Sequence, residues 1–290
     1  MIAEAVTALP TPHRCLIDGV PADRLPVADR GLSYGDGLFE TLLIRDGRPC
    51  QWCRHWRRLT AGCLRLGLPV PAEITLVEET SGVLRDIKTG VLKILVTRGD
   101  GGRGYRPASA QRPRRILSLH PSPSYPPEWS RLGVAVRTCR TPASLNTAIA
   151  GLKHLNRLDN VLARSEWSDP QVAEGLMEDP EGGIVGGTMT NLFLWDGAGL
   201  LTPKVDRCGV AGTVRDLAMA IAAQRGIPCA EARLRRVDLL AARGLFLTNS
   251  LLGVWPVRRL DERRFNPEDL PLDLIDAVAQ GARAPEWVGP

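Results

Sequence analysis

The seven residues Pro121-Ser-Pro-Ser-Tyr-Pro-Pro127 constrain the fold of this chain more than any other stretch. Each proline fixes φ near −65° and removes a backbone donor, so neither a helix interior nor a central strand can run through the segment. A chain of 290 residues is long enough for two domains of ordinary size. The proline segment divides it into a tail over residues 1–13, a smaller α/β domain over 14–120, a linker over 121–130 and a larger domain over 131–290.

Hydrophobic periodicity supports that division. In the first half, short strands are expected at Cys15–Asp18, Leu38–Ile44 (closed by an Asp46-Gly47 turn), Pro49–Trp52, Val91–Thr97 and Arg115–His120. Helices are expected over Arg54–Leu66, with Trp56, Leu59, Cys63 and Leu66 on one face, and from Pro71 to about Lys88. In the second half, strands are expected at Gly133–Cys139, Glu174–Glu178, Gly183–Val185, Asn191–Trp195, Leu245–Thr248 and Val254–Arg258. Helices are expected over Asn156–Trp167 and Val214–Arg225, and the Pro-rich end from Pro267 should cover the surface. The alternation predicts a mixed α/β (α+β) protein of two domains.

Composition excludes several classes. With 44% hydrophobic and 24% charged residues, the chain reads as globular and soluble. No apolar run approaches the roughly 18 residues that span a bilayer. Met1–Cys15 lacks the basic and apolar regions of a secretory signal, so a cytoplasmic protein is expected. The net charge of +5 is carried almost wholly by arginine. Spread along the chain, it suits anionic small molecules, whereas nucleic acid would favour a dense basic patch with interleaved aromatics. Arg112, Arg114 and Arg115 read as a solvated turn. Seven cysteines without regular spacing read as reduced thiols. Cys50 and Cys53 match C-x-x-C but lack the second pair that a zinc site needs, so no metal is expected.

Four features carry chemistry. Gly99-Asp-Gly-Gly-Arg-Gly104 matches G-x-G-x-x-G, yet Pro107, Pro113 and another strand follow where a dinucleotide site needs a helix. It is either a flexible hairpin tip or a loop presenting Arg103 and Tyr105 to an anionic substrate. Gly209-Val-Ala-Gly-Thr213 leads into a helix, which is either an ordinary helix start or an anion site built on free N–H groups. Thr248-Asn-Ser250 ends an apolar strand, as a turn or as a ligand-binding edge. Among the four lysines, Lys88 and Lys204 look solvated. Lys93 and Lys153 remain level as candidates for a desolvated, reactive amine. Hydrolase and metalloprotease signatures are absent, and His55 reads as a packing histidine.

Five motifs resemble the fold-type IV pyridoxal-phosphate (PLP) enzymes, which include D-amino-acid and branched-chain aminotransferases and aminodeoxychorismate lyase. They are Ala28-Asp-Arg-Gly-Leu-Ser-Tyr-Gly-Asp-Gly-Leu-Phe-Glu-Thr41, His55-Trp-Arg-Arg-Leu59, Val96-Thr-Arg-Gly-Asp-Gly-Gly-Arg-Gly-Tyr105, Gly151-Leu-Lys-His-Leu-Asn-Arg157 and Gly212-Thr-Val-Arg215. The resemblance covers about residues 15–260 and implies a two-domain fold, a homodimer and PLP as cofactor. It implies Lys153 as the Schiff-base lysine. Arg58, Gly212, Thr213, Val214, Asn249, Ser250 and Thr188 would bind the cofactor, and Arg103, Tyr105 and Phe39 the substrate. The Lys153 and Arg103 motifs most resemble the lyase branch, which implies conversion of 4-amino-4-deoxychorismate to 4-aminobenzoate and pyruvate. An aminotransferase acting on D- or branched-chain amino acids is the alternative, and a catalytically silent PLP-binding protein a further one.

One position departs from that pattern. The resemblance implies a glutamate, partner of the cofactor's pyridine nitrogen, where Gly186 stands. Without it, Thr188, Thr190 or a water is the expected contact. A hydroxyl there is expected to leave the pyridine neutral, which the lyase reaction tolerates better than transamination does.

Overall fold

The computed structural model describes residues 14–109 and 111–286, so the expected tail over 1–13 lies outside the described residues. The first half forms an antiparallel sheet of β1 (Arg14–Ile17), β2 (Val20–Pro21), β3 (Gly37–Arg45), β4 (Arg48–Pro49), β5 (Gly90–Thr97) and β6 (Arg114–His120), in the order β2-β1-β6-β5-β3-β4. Its helices are α1 (Arg30–Tyr34), α2 (Trp52–Leu66) and α3 (Glu73–Val83). The second half contains α4 (Trp129–Leu132), β7 (Val134–Thr138), α5 (Leu158–Arg164), β8 (Val172–Glu178), β9 (Ile184–Gly187), β10 (Asn191–Trp195), β11 (Leu200–Pro203), α6 (Thr213–Gln224), β12 (Cys229–Ala232), α7 (Arg236–Ala241), β13 (Gly244–Asn249), β14 (Gly253–Leu260), β15 (Arg263–Arg264) and α8 (Leu272–Ala282). Its sheet runs β12-β11-β10-β13-β14-β7-β8-β9, with β15 on β14. That sheet is mixed: β7 pairs parallel with both β8 and β14, and β11 parallel with β12.

Period-2 alternation in β3 positions the site. Leu38, Leu42 and Ile44 are buried together with Glu40, while Phe39 and Thr41 face the other way. The apolar set packs with Leu92, Leu117 and Leu119 of the neighbouring strands and with Leu59 and Cys63 of α2. Each such buried side chain contributes roughly 1.5–3 kcal/mol relative to exposure. In the second half, Phe193 of β10 and Phe246 of β13 stack with ring centroids 4.8 Å apart, and both are fully buried.

Several expectations need correction. The strand expected over Pro49–Trp52 ends at Pro49, because Gln51 takes a left-handed φ of 57° and Trp52 already begins α2. The helix expected over 71–88 is only Glu73–Val83. The helix expected over 156–167 is shortened to Leu158–Arg164. Asn156 and Arg157 are held outside it, donating to the carbonyls of Gly35 and His154. The C-terminal segment is more than surface cover: α8 buries Leu274, Ile275 and Val278 in the core around Phe246. Phe246→Ala removes one member of a stacked, fully buried pair and is expected to cost about 3–5 kcal/mol. Urea unfolding of the variant beside the parent chain measures it.

Candidate active site

A cavity of about 820 Å³ opens where the two halves meet, lined by Phe39, Thr41 and Arg58 from the first and by residues 143–251 of the second. That is room for a cofactor and a small substrate. Lys153 lines it, on a stretch of irregular backbone gripped from two sides. Phe39 N–H donates to the Lys153 carbonyl (2.9 Å), and Leu155 N–H donates to the Gly37 carbonyl (3.0 Å). On the other side, Gly151 N–H donates to Gly209 (3.0 Å) and Ala211 N–H to Gly151 (2.9 Å). The lysine is thus pinned between a strand edge and the turn before α6. Its Nζ lies 4.1 Å from the centroid of the Phe39 ring. Lys93, level with Lys153 on sequence alone, stands opposite Thr41 on β5 and does not line the cavity.

Burial of the Lys153 amine, reinforced by the Arg58 cation, pushes its pKa down to about 7, and the Glu40 carboxylate only partly offsets this. Glu40 is the buried hub beside it. Arg58 donates through Nε (2.8 Å) and Nη2 (2.5 Å) to the two Glu40 oxygens, and His55 Nδ1 lies 2.6 Å from Oε2. Burial opposes ionisation of Glu40, but the Arg58 cation prevails and holds the carboxyl at about 2. Burial likewise keeps His55 low and therefore neutral, so its Nδ1–H donates to Glu40. The third Arg58 nitrogen donates to the Ala211 carbonyl (2.9 Å), which ties the arginine to the turn before α6.

No side chain caps the start of α6, and Gly212 and Thr213 line the cavity there. A Cβ at Gly212 would sit 1.9 Å from Asn191 Oδ1, so only glycine lets the backbone approach this closely. The first-turn N–H groups, including those of Thr213 and Val214, are the kind of cradle that fits a phosphate. Asn249 and Ser250 also line the cavity. Ser250 Oγ donates to the Thr41 carbonyl (2.7 Å), leaving its lone pairs for a ligand donor. The Asn249 side-chain oxygen caps the Leu251 and Leu252 N–H groups. A phosphate at α6 and an amine-reactive carbonyl at Lys153 therefore fit the residues present.

Thr188 and Thr190 line the cavity from the β9–β10 turn. Arg103 and Tyr105 do not reach it in their own chain. Both are exposed on the loop between β5 and β6, where Tyr105 meets Tyr34 edge to face at 5.5 Å. Arg30 holds that loop through the carbonyls of Gly104 (3.0 Å) and Tyr105 (2.8 Å).

Three contributors carried no assigned role on sequence grounds. Glu40 and Arg157 lie inside the quoted motifs, and Glu174 begins the strand expected at Glu174–Glu178. Arg157 lines the cavity with no carboxylate partner among the described residues. Burial pushes it down to about 10.

Because capture of a carbonyl needs the neutral amine, the shift in Lys153 has a measurable sign. The rate of cofactor capture by the cofactor-free protein is expected to rise with pH and level off above about 7, rather than near the 10.5 of an ordinary lysine. Stopped-flow absorbance across pH 5.5–10 checks it; a midpoint near 10 refutes the depressed amine.

Known proteins resemble this chain in sequence and fold. The profile of the amino-transferase class IV family matches residues 37–260. The chain is 32% identical to the aminodeoxychorismate lyase of Vibrio harveyi, over 91% of this chain and 97% of the relative. It is also 32% identical to a putative branched-chain-amino-acid aminotransferase of Methanocaldococcus jannaschii, over 84% and 85%. The crystal structure of 4-amino-4-deoxychorismate lyase from Pseudomonas aeruginosa superposes with a TM-score of 0.86 at 44% identity, covering 90% of this chain and 98% of that one. With a family match over residues 37–260, this chain belongs to the class IV aminotransferase family of PLP enzymes.

Proposed function

We propose that this protein is a PLP-dependent 4-amino-4-deoxychorismate lyase that forms 4-aminobenzoate and pyruvate, a step toward folate. The observation that carries the substrate assignment is the charge of the cavity wall. Besides Arg58, which Glu40 pairs, and Lys153, whose pKa is lowered to about 7, Arg157 and Arg164 line it, with Asp159 the one acidic side chain among the described lining residues. Such a wall suits a substrate with two carboxylates better than a simple amino acid with one. The likeness to the Vibrio and Pseudomonas lyases supports the same reading.

When bound, PLP supplies the electron sink for charge that develops at the carbon bearing the substrate amine. The α6 amino terminus and Arg58 would hold its phosphate end, and Lys153 Nζ its carbonyl end. With the substrate in place, Lys153 Nζ, its pKa lowered to about 7, would be free as a base at near-neutral pH. It takes the proton from the amine-bearing ring carbon. The enolpyruvyl carbon–oxygen bond then breaks, the ring becomes aromatic, and the Lys153 ammonium is the proton source that turns enolpyruvate into pyruvate. Phe39, stacked beside Nζ, excludes water from that exchange.

We further propose that the protein works as a homodimer in the cytoplasm. Leu158, Val161 and Leu162 expose an apolar strip on α5 beside the cavity mouth, of the kind a second copy covers. The substrate-binding role of Arg103 and Tyr105 then requires their loop to meet the partner's cavity. Light scattering is expected to give twice the 31.6 kDa chain mass; a monomer that retains full activity removes both statements.

The likeness to an aminotransferase supports transamination as the second reading. Incubation with PLP and enzymatically generated aminodeoxychorismate is expected to yield 4-aminobenzoate, with a loss of at least about 10³-fold in Lys153→Ala. No product, together with conversion of the cofactor to its amine form by D- or branched-chain amino acids, would establish the aminotransferase instead.

A further inference from the structure

Glu174, on β8, is fully buried immediately behind the β9–β10 turn. No lysine, arginine or histidine among the described residues pairs with it. Its hydrogen-bond partners among the described residues are five donors, of which Thr188 N–H is shared with the Gly175 carbonyl (3.0 Å). Oε1 accepts from Gly175 N–H (2.9 Å), Thr188 N–H (3.1 Å) and Thr188 Oγ1 (2.6 Å). Oε2 accepts from Met189 N–H (3.1 Å) and Thr190 Oγ1 (2.9 Å). Three of these donors are backbone N–H groups, which cannot reverse. Burial outweighs the donors and raises the carboxyl above its usual range; the geometry nonetheless surrounds both oxygens with donors, the shell that suits a carboxylate rather than an acid.

That shell decides what the two threonines can do. A hydroxyl has one proton and two lone pairs. With both protons committed to Glu174, Thr188 and Thr190 turn only lone pairs toward the cavity they line. They are hydrogen-bond acceptors there, backed by a buried negative charge that lacks a counter-charge. The rest of the cavity wall is cationic, so the complement of this corner is a cationic N–H. The groups packed around Glu174 do not supply it: Tyr125 and Cys139 both feel its charge and are pushed upward, mainly by their own burial.

The glycines show that the corner is built this way. Gly186 has a φ of +146°, and a Cβ there would lie 2.9 Å from the Thr190 carbonyl oxygen. A Cβ at Gly187 would lie 2.1 Å from Thr190 Oγ1 and 2.6 Å from Glu174 Oε2. A side chain at either position, the implied family glutamate included, would break the Glu174–threonine contacts or strain the turn.

We propose that Glu174, acting through the hydroxyls of Thr188 and Thr190, is the counter-charge for a protonated pyridine nitrogen of the bound cofactor. Glu174 is thus a positioning residue, and the two hydroxyls are the contacts. The function of the acid missing at Gly186 is met from the neighbouring strand. The pyridine is charged, reversing the expectation that a hydroxyl contact leaves it neutral. This rests on the PLP assignment but not on the choice of lyase over aminotransferase.

The test uses PLP labelled with ¹⁵N in the ring, bound to the whole protein without substrate, and reads the nitrogen resonance by NMR. Wild type is expected in the pyridinium range. Glu174→Gln and the shape-conserving double variant Thr188→Val/Thr190→Val are expected to shift it to the neutral-pyridine range, and Thr188→Ser/Thr190→Ser to restore pyridinium. A purely structural role for Glu174 would not move the resonance in variants that fold and bind PLP. If Glu174→Gln does not fold, the valine and serine pairs decide alone. A neutral ring in wild type, or a pyridinium unchanged by the valine pair, overturns the proposal. Failure of wild type to bind PLP at all overturns the cofactor assignment with it.

Discussion

The site depends on a two-sided grip on residues 151–155. A reactive lysine on irregular backbone would ordinarily be mobile, because such segments lack a ladder of hydrogen bonds. Here the β3 edge takes one side through Gly37 and Phe39, and the turn at Gly209 and Ala211 takes the other. Each backbone bond is modest in net energy, about 1 kcal/mol. Together they fix where Nζ points, and they tie the two sheets to one another at the cavity. The same contacts make the phosphate cradle and the lysine one unit, since Ala211 bonds both to Gly151 and to Arg58.

Charge is arranged around that grip in two separate buried acids. Glu40 is ionised by its direct pairing with Arg58, and its charge keeps the guanidinium at the cradle. Burial first, and the nearby Arg58 cation second, lower the pKa of Lys153 to about 7. A buried carboxylate paired with a cation and a buried amine with no ion pair among the described residues are complementary parts of one electrostatic design. Glu174 has the opposite arrangement, a carboxyl with hydrogen-bond donors but no cation among the described residues, and it stands behind Thr188 and Thr190 of the cavity wall.

Much of this was legible in the chain itself. The proline segment over residues 121–127 separates the stretches that form the two sheets, and the apolar alternation of Leu38–Ile44 and Asn191–Trp195 appears as strands. Local composition misled where tertiary packing overrode it. The C-terminal prolines suggested surface, yet Leu274, Ile275 and Val278 carry a helical stripe that the core around Phe246 absorbs. Asn156 and Arg157 suggested helix, yet their side chains are needed elsewhere.

For the site, residue order determined which groups lie close along the chain: Lys153 with Arg157, Arg58 with His55, Gly212 with Thr213. Residue type alone leaves Lys153 and Lys93 level; the motif resemblance implies Lys153, and its burial and place on the cavity wall agree with that. A side chain acquires burial and cavity position from elements remote in sequence. The same holds for Glu174, which stands 12 positions before the glycine where an acid was expected. Pairing of β8 with β9 places it behind Thr188 and Thr190, the arrangement in which those hydroxyls become acceptors. Sequence determines which residues can ionise or donate; the fold, by setting burial and partners, decides which of them do.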